Sequence, residues 1–203
     1  MRVEPFTIGN YVHVIKRGAR GMNIVNNDED RLRFILMLRH FNDEHISDNW
    51  VRELMDEKKA NTLLRASIWP AQKPVVNILA FTLLDNHFHL LLHEFKEGGV
   101  TAFMTSVGLG MSKCFNEKYD GKGSIFQGAY KSRTVQDDRY LRYVSAYIQV
   151  KNVFEMYPGG FEKAAIEFDK AYEWATKNPY TSLGHYAGVI DSPIIQKENN
   201  ILM

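Results

Sequence analysis

Residues that favour sheet and residues at helical spacing succeed one another along this chain in a readable order. Tyr11-Val12-His13-Val14-Ile15-Lys16-Arg17 is rich in β-branched and aromatic side chains and predicts an opening strand, broken by Gly18 and Gly21. Asn26-Asn27-Asp28-Glu29-Asp30 then supplies a cap and first-turn acids for a helix over 28–45, with Leu32, Phe34, Ile35, Leu36, Leu38 and Phe41 on its apolar positions. Residues 46–73 are polar and only weakly helical, which marks an insertion or a peripheral subelement. Two apolar runs, 75–84 and 88–93, flank Asp85-Asn86 and predict two strands joined by a tight hairpin turn. Gly98-Gly99 precedes a helix over 100–119 that carries Phe103, Met104, Val107, Met111 and Phe115 on one side, and Asp120-Gly121-Lys122-Gly123 closes it. A fourth strand is expected within 125–135.

Strand, helix, strand, strand, helix, strand is the order of an α+β, ferredoxin-like βαββαβ core: an antiparallel four-stranded sheet with helices on one face. C-terminal helices follow. Asp137-Asp138-Arg139 caps a helix through Tyr140, Tyr143 and Tyr147 to about residue 154, and Tyr157-Pro158-Gly159-Gly160 ends it. A further helix over 161–176 is expected to turn Phe168, Tyr172 and Ala175 inward, and 178–183 is turn-rich. The length suits one domain over 1–186, with 46–73 peripheral, 137–177 as additional helices, and 187–203 as a tail that frays from 196 on.

A hydrophobic fraction of 45% with 24% charged residues describes a globular chain and excludes the disordered class. Without an apolar run of about 18 residues, and with Met1-Arg2-Val3-Glu4-Pro5 lacking a signal peptide's apolar core, the expected location is the cytoplasm, with no membrane association. The single cysteine, Cys114, rules out an intrachain disulfide and reads as a buried structural thiol. A net charge of +1 gives no global pull toward nucleic acid. Residues 111–151 differ: eight Lys or Arg stand against four acids, an excess that suits either phosphate contact or a solvated surface.

His87-Phe88-His89 changes this picture. Alternate strand side chains share a face, so His87, His89, Leu91 and His93 lie on one side and Phe88, Leu90 and Leu92 on the other. Same-face neighbours lie about 6 to 7 Å apart, near enough for two imidazoles to reach one ion. A buried imidazole needs a metal or a hydrogen-bond partner in any case. Tyr140, Tyr143 and Tyr147, three and four apart, share one side of their helix, either as a packing stripe or as a source of a phenolate nucleophile beside a metal. His13 reads as a packed strand histidine, with a hydrogen bond to a ligand or substrate as its functional alternative, and His93 as an exposed one at a strand end.

These residues carry a resemblance. Leu84-Asp85-Asn86-His87-Phe88-His89-Leu90-Leu91-Leu92 resembles the His-hydrophobic-His motif of single-tyrosine HUH endonucleases, and specifically of the REP-associated tyrosine transposase family. Residues 11–18 resemble that family's opening strand. Gly123-Ser124-Ile125-Phe126-Gln127-Gly128-Ala129-Tyr130-Lys131-Ser132 resembles its Gly-x-x-Phe-Gln-x-x-Tyr-Lys-Ser signature, and Tyr147-Ile148 falls where its catalytic Tyr-Ile segment lies. Asn178-Pro179-Tyr180-Thr181-Ser182-Leu183 corresponds loosely to its Tyr- and Ser-rich tail.

The resemblance implies a metal-dependent single-stranded DNA endonuclease and strand transferase in one HUH transposase-like domain. His87 and His89 would hold Mg²⁺ or Mn²⁺, and Tyr147 would attack phosphorus to leave a 5′-phosphotyrosine and a free 3′-hydroxyl. The partner is single-stranded DNA carrying a hairpin, met at repeat DNA in association with the nucleoid. No obligate protein partner is implied, and a monomer is expected over a dimer. The family's third ligand, a Gln or Asn four residues beyond the tyrosine, is replaced here by Lys151, a side chain with no acceptor. Three explanations stay open: a local helix irregularity brings Asn152 round as ligand, Lys151 contacts the phosphate directly, or activity is lost. Gln149 points elsewhere. Arg17, Lys131, Arg133 and Lys151 are the expected DNA contacts, with Tyr143 the next candidate nucleophile after Tyr147. The alternative function is a noncatalytic hairpin-binding protein on the same fold.

Overall fold

The computed structural model describes residues 6–47, 49–50 and 70–197, so most of the 46–73 segment lies outside the described residues. Its core elements are β1 (Tyr11–Arg17), α1 (Asp28–His40), β2 (Asn77–Leu83), β3 (His87–His93), α2 (Gly99–Tyr119) and β4 (Lys131–Val135). The strands form one antiparallel sheet in the order β2-β3-β1-β4, the ferredoxin-like arrangement that the element order predicts.

Alternation along the strands sorts the side chains onto two faces. Val12 and Val14 of β1, Phe88, Leu90 and Leu92 of β3, and Phe81 and Leu83 of β2 pack against Phe34, Met37 and Leu38 of α1 and Phe103, Met104 and Val107 of α2. A bulge between Ile78 and Ala80 shifts the parity of β2, so Ile78 also joins this core while Leu79 and Ala80 line the opposite side. α1 starts on Asn27, whose side chain accepts from Asp30 N–H, and ends at residue 40 rather than 45. The buried Glu94 carboxylate accepts from the Gly98 and Val100 N–H groups, 2.8 and 3.1 Å away, satisfying donors at the start of α2.

The opposite sheet face is covered by α3 (Asp138–Ala146), capped by Asp137. Leu141, Val144 and Ile148 pack there on Leu79, Ala80, Leu91 and Val135. The helix expected to run to about 154 is interrupted: a π turn spans Tyr147–Lys151, and α4 (Asn152–Glu155) continues. The helix expected over 161–176 is two, α5 (Gly160–Ile166) and α6 (Phe168–Lys177), broken at Glu167. Ala171, Ala175 and Thr176 are its buried positions; Phe168 and Tyr172, expected inward, are exposed.

The free edge of β2 is covered by the C-terminal part of the chain. Leu83 N–H donates to Tyr180 O, Ser182 N–H to Phe81 O, and the Tyr186 hydroxyl, from α7 (Leu183–Tyr186), to Leu79 O. Gln196, expected to fray, instead exchanges bonds with Ile78, and Ile194 is buried in the core. Such cover blocks edge-to-edge pairing with another sheet.

The segment resembling the family signature braces the end of the sheet that carries His87. Phe126 bridges Gly18, Gln127 N–H donates to Arg17 O, and Ala19 N–H donates to Ile125 O. Lys16 runs through the core to donate to Gly128 O at 3.2 Å, its ammonium 4.6 Å over the Phe126 ring. Gly18 has no substitute: a Cβ there would lie 2.1 Å from Met22 O.

Candidate active site

β3 places His87, His89, Leu91 and His93 on the face that α3 covers. Register on β1 sets Arg17 opposite His87, Ile15 opposite His89 and His13 opposite Leu91, and register on β4 sets Lys131 opposite Ile15 and Arg133 opposite His13. Directly opposed residues share a face, so three cations and three imidazoles lie on one patch. The π turn brings Tyr147 over it.

The His87 and His89 rings are 5.1 Å apart, and the Tyr147 ring is 5.7 Å from His89 and 6.2 Å from His13. Both motif histidines engage Nδ1. His87 Nδ1 lies 2.6 Å from Asn86 Oδ1, an acceptor, which puts the proton on Nδ1 and leaves the Nε2 lone pair free. His89 Nδ1 lies 2.9 Å from His13 Nε2, and the two rings stack at 5.2 Å. With His89 Nδ1–H donating, its Nε2 is free as well. Imidazole ligands to metals are commonly oriented by a partner on the second nitrogen in this way.

Burial, with the nearby Arg17 charge, keeps the His87 pKa below its usual value, against an upward pull from Glu155. Burial and then His13 and His87 bring His89 down to about 3, and burial and then Arg133 bring His13 down to about 4. All three rings are therefore neutral at pH 7, the state a metal requires.

The turn after Tyr147 decides the remaining positions. Asn152 N–H reaches back five residues to Tyr147 O, not four to Ile148 O. One residue is thereby inserted into the turn, so Asn152 takes the place relative to Tyr147 that Lys151 would hold in a regular α-helix. The displaced Ile148 carbonyl is taken up by the Thr82 hydroxyl of β2, the residue opposite His89. Asn152 is 1% exposed, and its amide Nδ2 has no hydrogen-bond partner among the described residues. Lys151 pairs with Glu155, and its Nζ lies 5.1 Å over the Tyr147 ring. Gln149 turns away, donating to Ser145 Oγ at 2.7 Å.

Other predicted residues sort clearly. Tyr140 and Tyr143 lie earlier, in α3: Tyr143 packs on Tyr147 and Tyr140 on Tyr143, and among the described residues neither ring meets a histidine. His93 is not an exposed end residue: it is half-buried and stacks on Tyr11 at 4.7 Å, at the other end of β3. Cys114 is buried with its thiol pushed up to about 11, an inert group. His13, expected as a packed strand residue, takes its other reading, a hydrogen bond to a motif histidine. Thr82 and Glu155 had no signal in the sequence.

Among the described residues no three His, Cys, Asp or Glu side chains converge as a metal cluster. The donor set still fits a hard or borderline divalent ion: two neutral imidazoles that present Nε2 when their Nδ1–H groups donate, and a buried Asn152 side chain one turn beyond Tyr147 whose amide oxygen is the ligating atom.

The family described as IS200-like transposase matches residues 50–151, which include His87, His89 and Tyr147. Among solved structures, a REP-associated tyrosine transposase bound to a REP hairpin is similar over 98% of both chains, with a TM-score of 0.52 and 12% sequence identity, a likeness of fold. A search of curated proteins found no match. Among the described residues no helix is long and apolar enough to cross a membrane. A family match over half the chain, together with the shared fold, makes this protein a member of the IS200-like, single-tyrosine HUH transposase superfamily.

Proposed function

We propose that the protein is a divalent-metal-dependent endonuclease and strand transferase for single-stranded DNA flanking a hairpin, with Tyr147 as nucleophile. The observation that carries this is the Tyr147 ring within 5.7 Å of His89, on the one helix position of three that reaches the histidine pair. His87 and His89 through Nε2, with the Asn152 amide as third ligand, would hold Mg²⁺ or Mn²⁺. The bound ion supplies charge neutralisation on the phosphate's nonbridging oxygens.

The chain's own groups do the rest. The Tyr147 hydroxyl loses its proton as its oxygen attacks phosphorus and the P–O3′ bond breaks, leaving a 5′-phosphotyrosine and a 3′-oxygen that takes up a proton to become the hydroxyl; attack by another 3′-hydroxyl, which loses its proton while the tyrosine oxygen regains one, reverses the step. Lys151, held by Glu155, places a positive charge beside the attacking ring. Arg17, Lys131 and Arg133 stand on the same face and position the backbone without reading bases. The hairpin-bearing partner rests on the similar structure in complex with one.

A second reading, a hairpin-binding protein that does not cleave, draws support from the residue count alone, which puts Lys151 four beyond Tyr147 where the resemblance has an amide ligand. One experiment separates the two. A single-stranded oligonucleotide carrying a hairpin and a nick-trapped cleavage site is incubated with protein and Mn²⁺, and covalent adduct is read on a denaturing gel. Adduct that disappears in Tyr147→Phe supports the enzyme. Tight binding with no adduct across a panel of hairpins supports the second reading, and adduct surviving in Tyr147→Phe moves the nucleophile to Tyr143.

A further inference from the structure

The helix that delivers Tyr147 also carries Tyr140 and Tyr143, rings that the proposed chemistry does not use. With Arg133 of β4, Tyr147 and Lys151 they form a row. The Arg133 guanidinium lies 4.9 Å over the Tyr140 ring, Tyr140 stacks on Tyr143 at 6.0 Å and 20°, Tyr143 meets Tyr147 at 6.4 Å and 31°, and the Lys151 ammonium lies 5.1 Å over Tyr147. Tyr140 and Tyr147 pack on the core cluster beneath them, but Tyr143 does not and is 62% exposed. A large ring held in line between two others, and left in solvent, contributes little to folding.

We infer that this row is a track for the unpaired strand of the substrate, with Tyr143 stacking on a base next to the phosphate that reaches Tyr147. The inference rests on the proposed single-stranded DNA substrate. Three features argue for that occupant. Aromatic faces bind any unpaired base by stacking, which is the sequence-tolerant contact single-strand binders use. Both ends of the row carry a cation, and Arg139 and Arg142 add exposed positive charge on the same helix, which complements a phosphate backbone. The row also ends on the proposed nucleophile, so a strand lying along it arrives with its backbone at the reacting oxygen. Paired bases in the hairpin are already stacked on each other and cannot use such a surface. The track therefore selects the flank.

The test uses the full-length protein in EDTA, so that no turnover intervenes, and fluorescence anisotropy with two oligonucleotides: a hairpin with an unpaired flank and the same hairpin without one. Tyr143→Ala is expected to weaken the flanked oligonucleotide about fivefold to a hundredfold, the range for losing one stacked base, and to leave the bare hairpin unchanged. Tyr143→Trp is expected to restore binding. Equal urea midpoints for the wild type and both variants verify that folding is unaffected. Equal affinities of wild type and Tyr143→Ala for the flanked oligonucleotide, or equal losses on both oligonucleotides, overturn the inference. So does a wild-type dimer, seen by sedimentation, that Tyr143→Ala makes monomeric, because the ring would then serve a second copy of the chain. Adduct formation by the wild type with Mn²⁺ and saturating DNA is scored separately. If adduct forms while Tyr143→Ala binds normally, the track fails and the proposed nuclease stands; if the wild type neither binds nor reacts, both fall.

Discussion

Thr82→Val replaces a hydroxyl by a methyl of nearly the same shape, and it removes the group that makes the π turn tolerable. The Thr82 side chain is fully buried, and its hydroxyl donates to the Ile148 carbonyl that the turn takes away from Asn152 N–H. Two outcomes are open to the variant. The turn can persist with a buried carbonyl unpaired, at a cost of about 1 to 3 kcal/mol. Alternatively the segment can return to α-helical register, which rotates everything after the turn by about 100°. That rotation would carry the buried Asn152, Val153 and Phe154 out of their packing, a comparable or larger loss. Either route predicts a fall in unfolding free energy of about 1 to 3 kcal/mol by urea denaturation at pH 7. The second also predicts weaker Mn²⁺ binding in calorimetry, because it rotates the Asn152 amide, the third ligand of the proposed site, away from its place one turn beyond Tyr147. Thr82→Ser keeps the hydroxyl and gives up about one buried methyl, close to 0.8 kcal/mol, with Mn²⁺ affinity retained. A Thr82→Val protein as stable as wild type and with the same Mn²⁺ affinity would refute the assignment of the hydroxyl as the prop of the turn.

Three further predictions test the site. His13→Ala removes the group that fixes the His89 ring and its protonation, and should lower Mn²⁺ affinity about tenfold to a hundredfold with little change in hairpin binding; unchanged calorimetric affinity would show that His13 merely packs. Lys131→Ala and Arg17→Ala should each reduce the slope of log affinity against log salt for the unpaired flank by about 0.7, and a slope equal to wild type in both would remove these side chains from the DNA path. The third concerns pH. His13 and His89 have folded values of about 4 and 3 against 6.5 for the ordinary side chain, and His87 and His185 shift the same way through burial. As pH falls below 6.5 the unfolded chain gains protons first, so stability present above 6.5 is lost progressively toward pH 4. Arg133, Arg17 and Lys151 face this cluster and deepen the loss, while Glu155 opposes it at His87. Metal-free protein should show a urea midpoint that drops from pH 7.5 to 5.5, above the carboxylate range; a flat midpoint over that window would contradict the burial of these rings.

Most of the fold was legible because its elements follow from local rules. The residues of β1 were readable from β-branched composition alone, and α1 and α2 from apolar spacing bounded by Asn27 and by the glycines at 98 and 99. What escaped depends on contacts between distant segments. The edge of β2 is closed by residues 180–196, and nothing local in Gln196 announces that its amide will bond Ile78. Glu167 breaks the helix over 161–176 with ordinary helix formers on either side, which turns Phe168 and Tyr172 outward against the spacing.

The site shows the same division more sharply. Period-2 alternation was enough to put His87 and His89 on one face, and the three-four spacing was enough to put three tyrosines on one side of their helix; the choice of Tyr147 among them came from the family resemblance. Spacing alone then failed at the third ligand, because it counts residues and assumes a regular turn. On that count Lys151 occupies the amide position, which leaves open a helix irregularity that brings Asn152 round, a direct Lys151 contact to the phosphate, or lost activity. One inserted residue changes the count: with Asn152 N–H bonded to Tyr147 O, the amide stands where an α-helix would have put the lysine. The insertion is supported by Thr82, 66 residues earlier in the chain than Ile148 and directly across from His89, whose hydroxyl meets the carbonyl it releases. Lys151 is thereby freed to pair with Glu155 and to lie over the Tyr147 ring, a role suited to a cation and not to an amide. The departure at 151 and the hydroxyl at 82 are thus two halves of one arrangement.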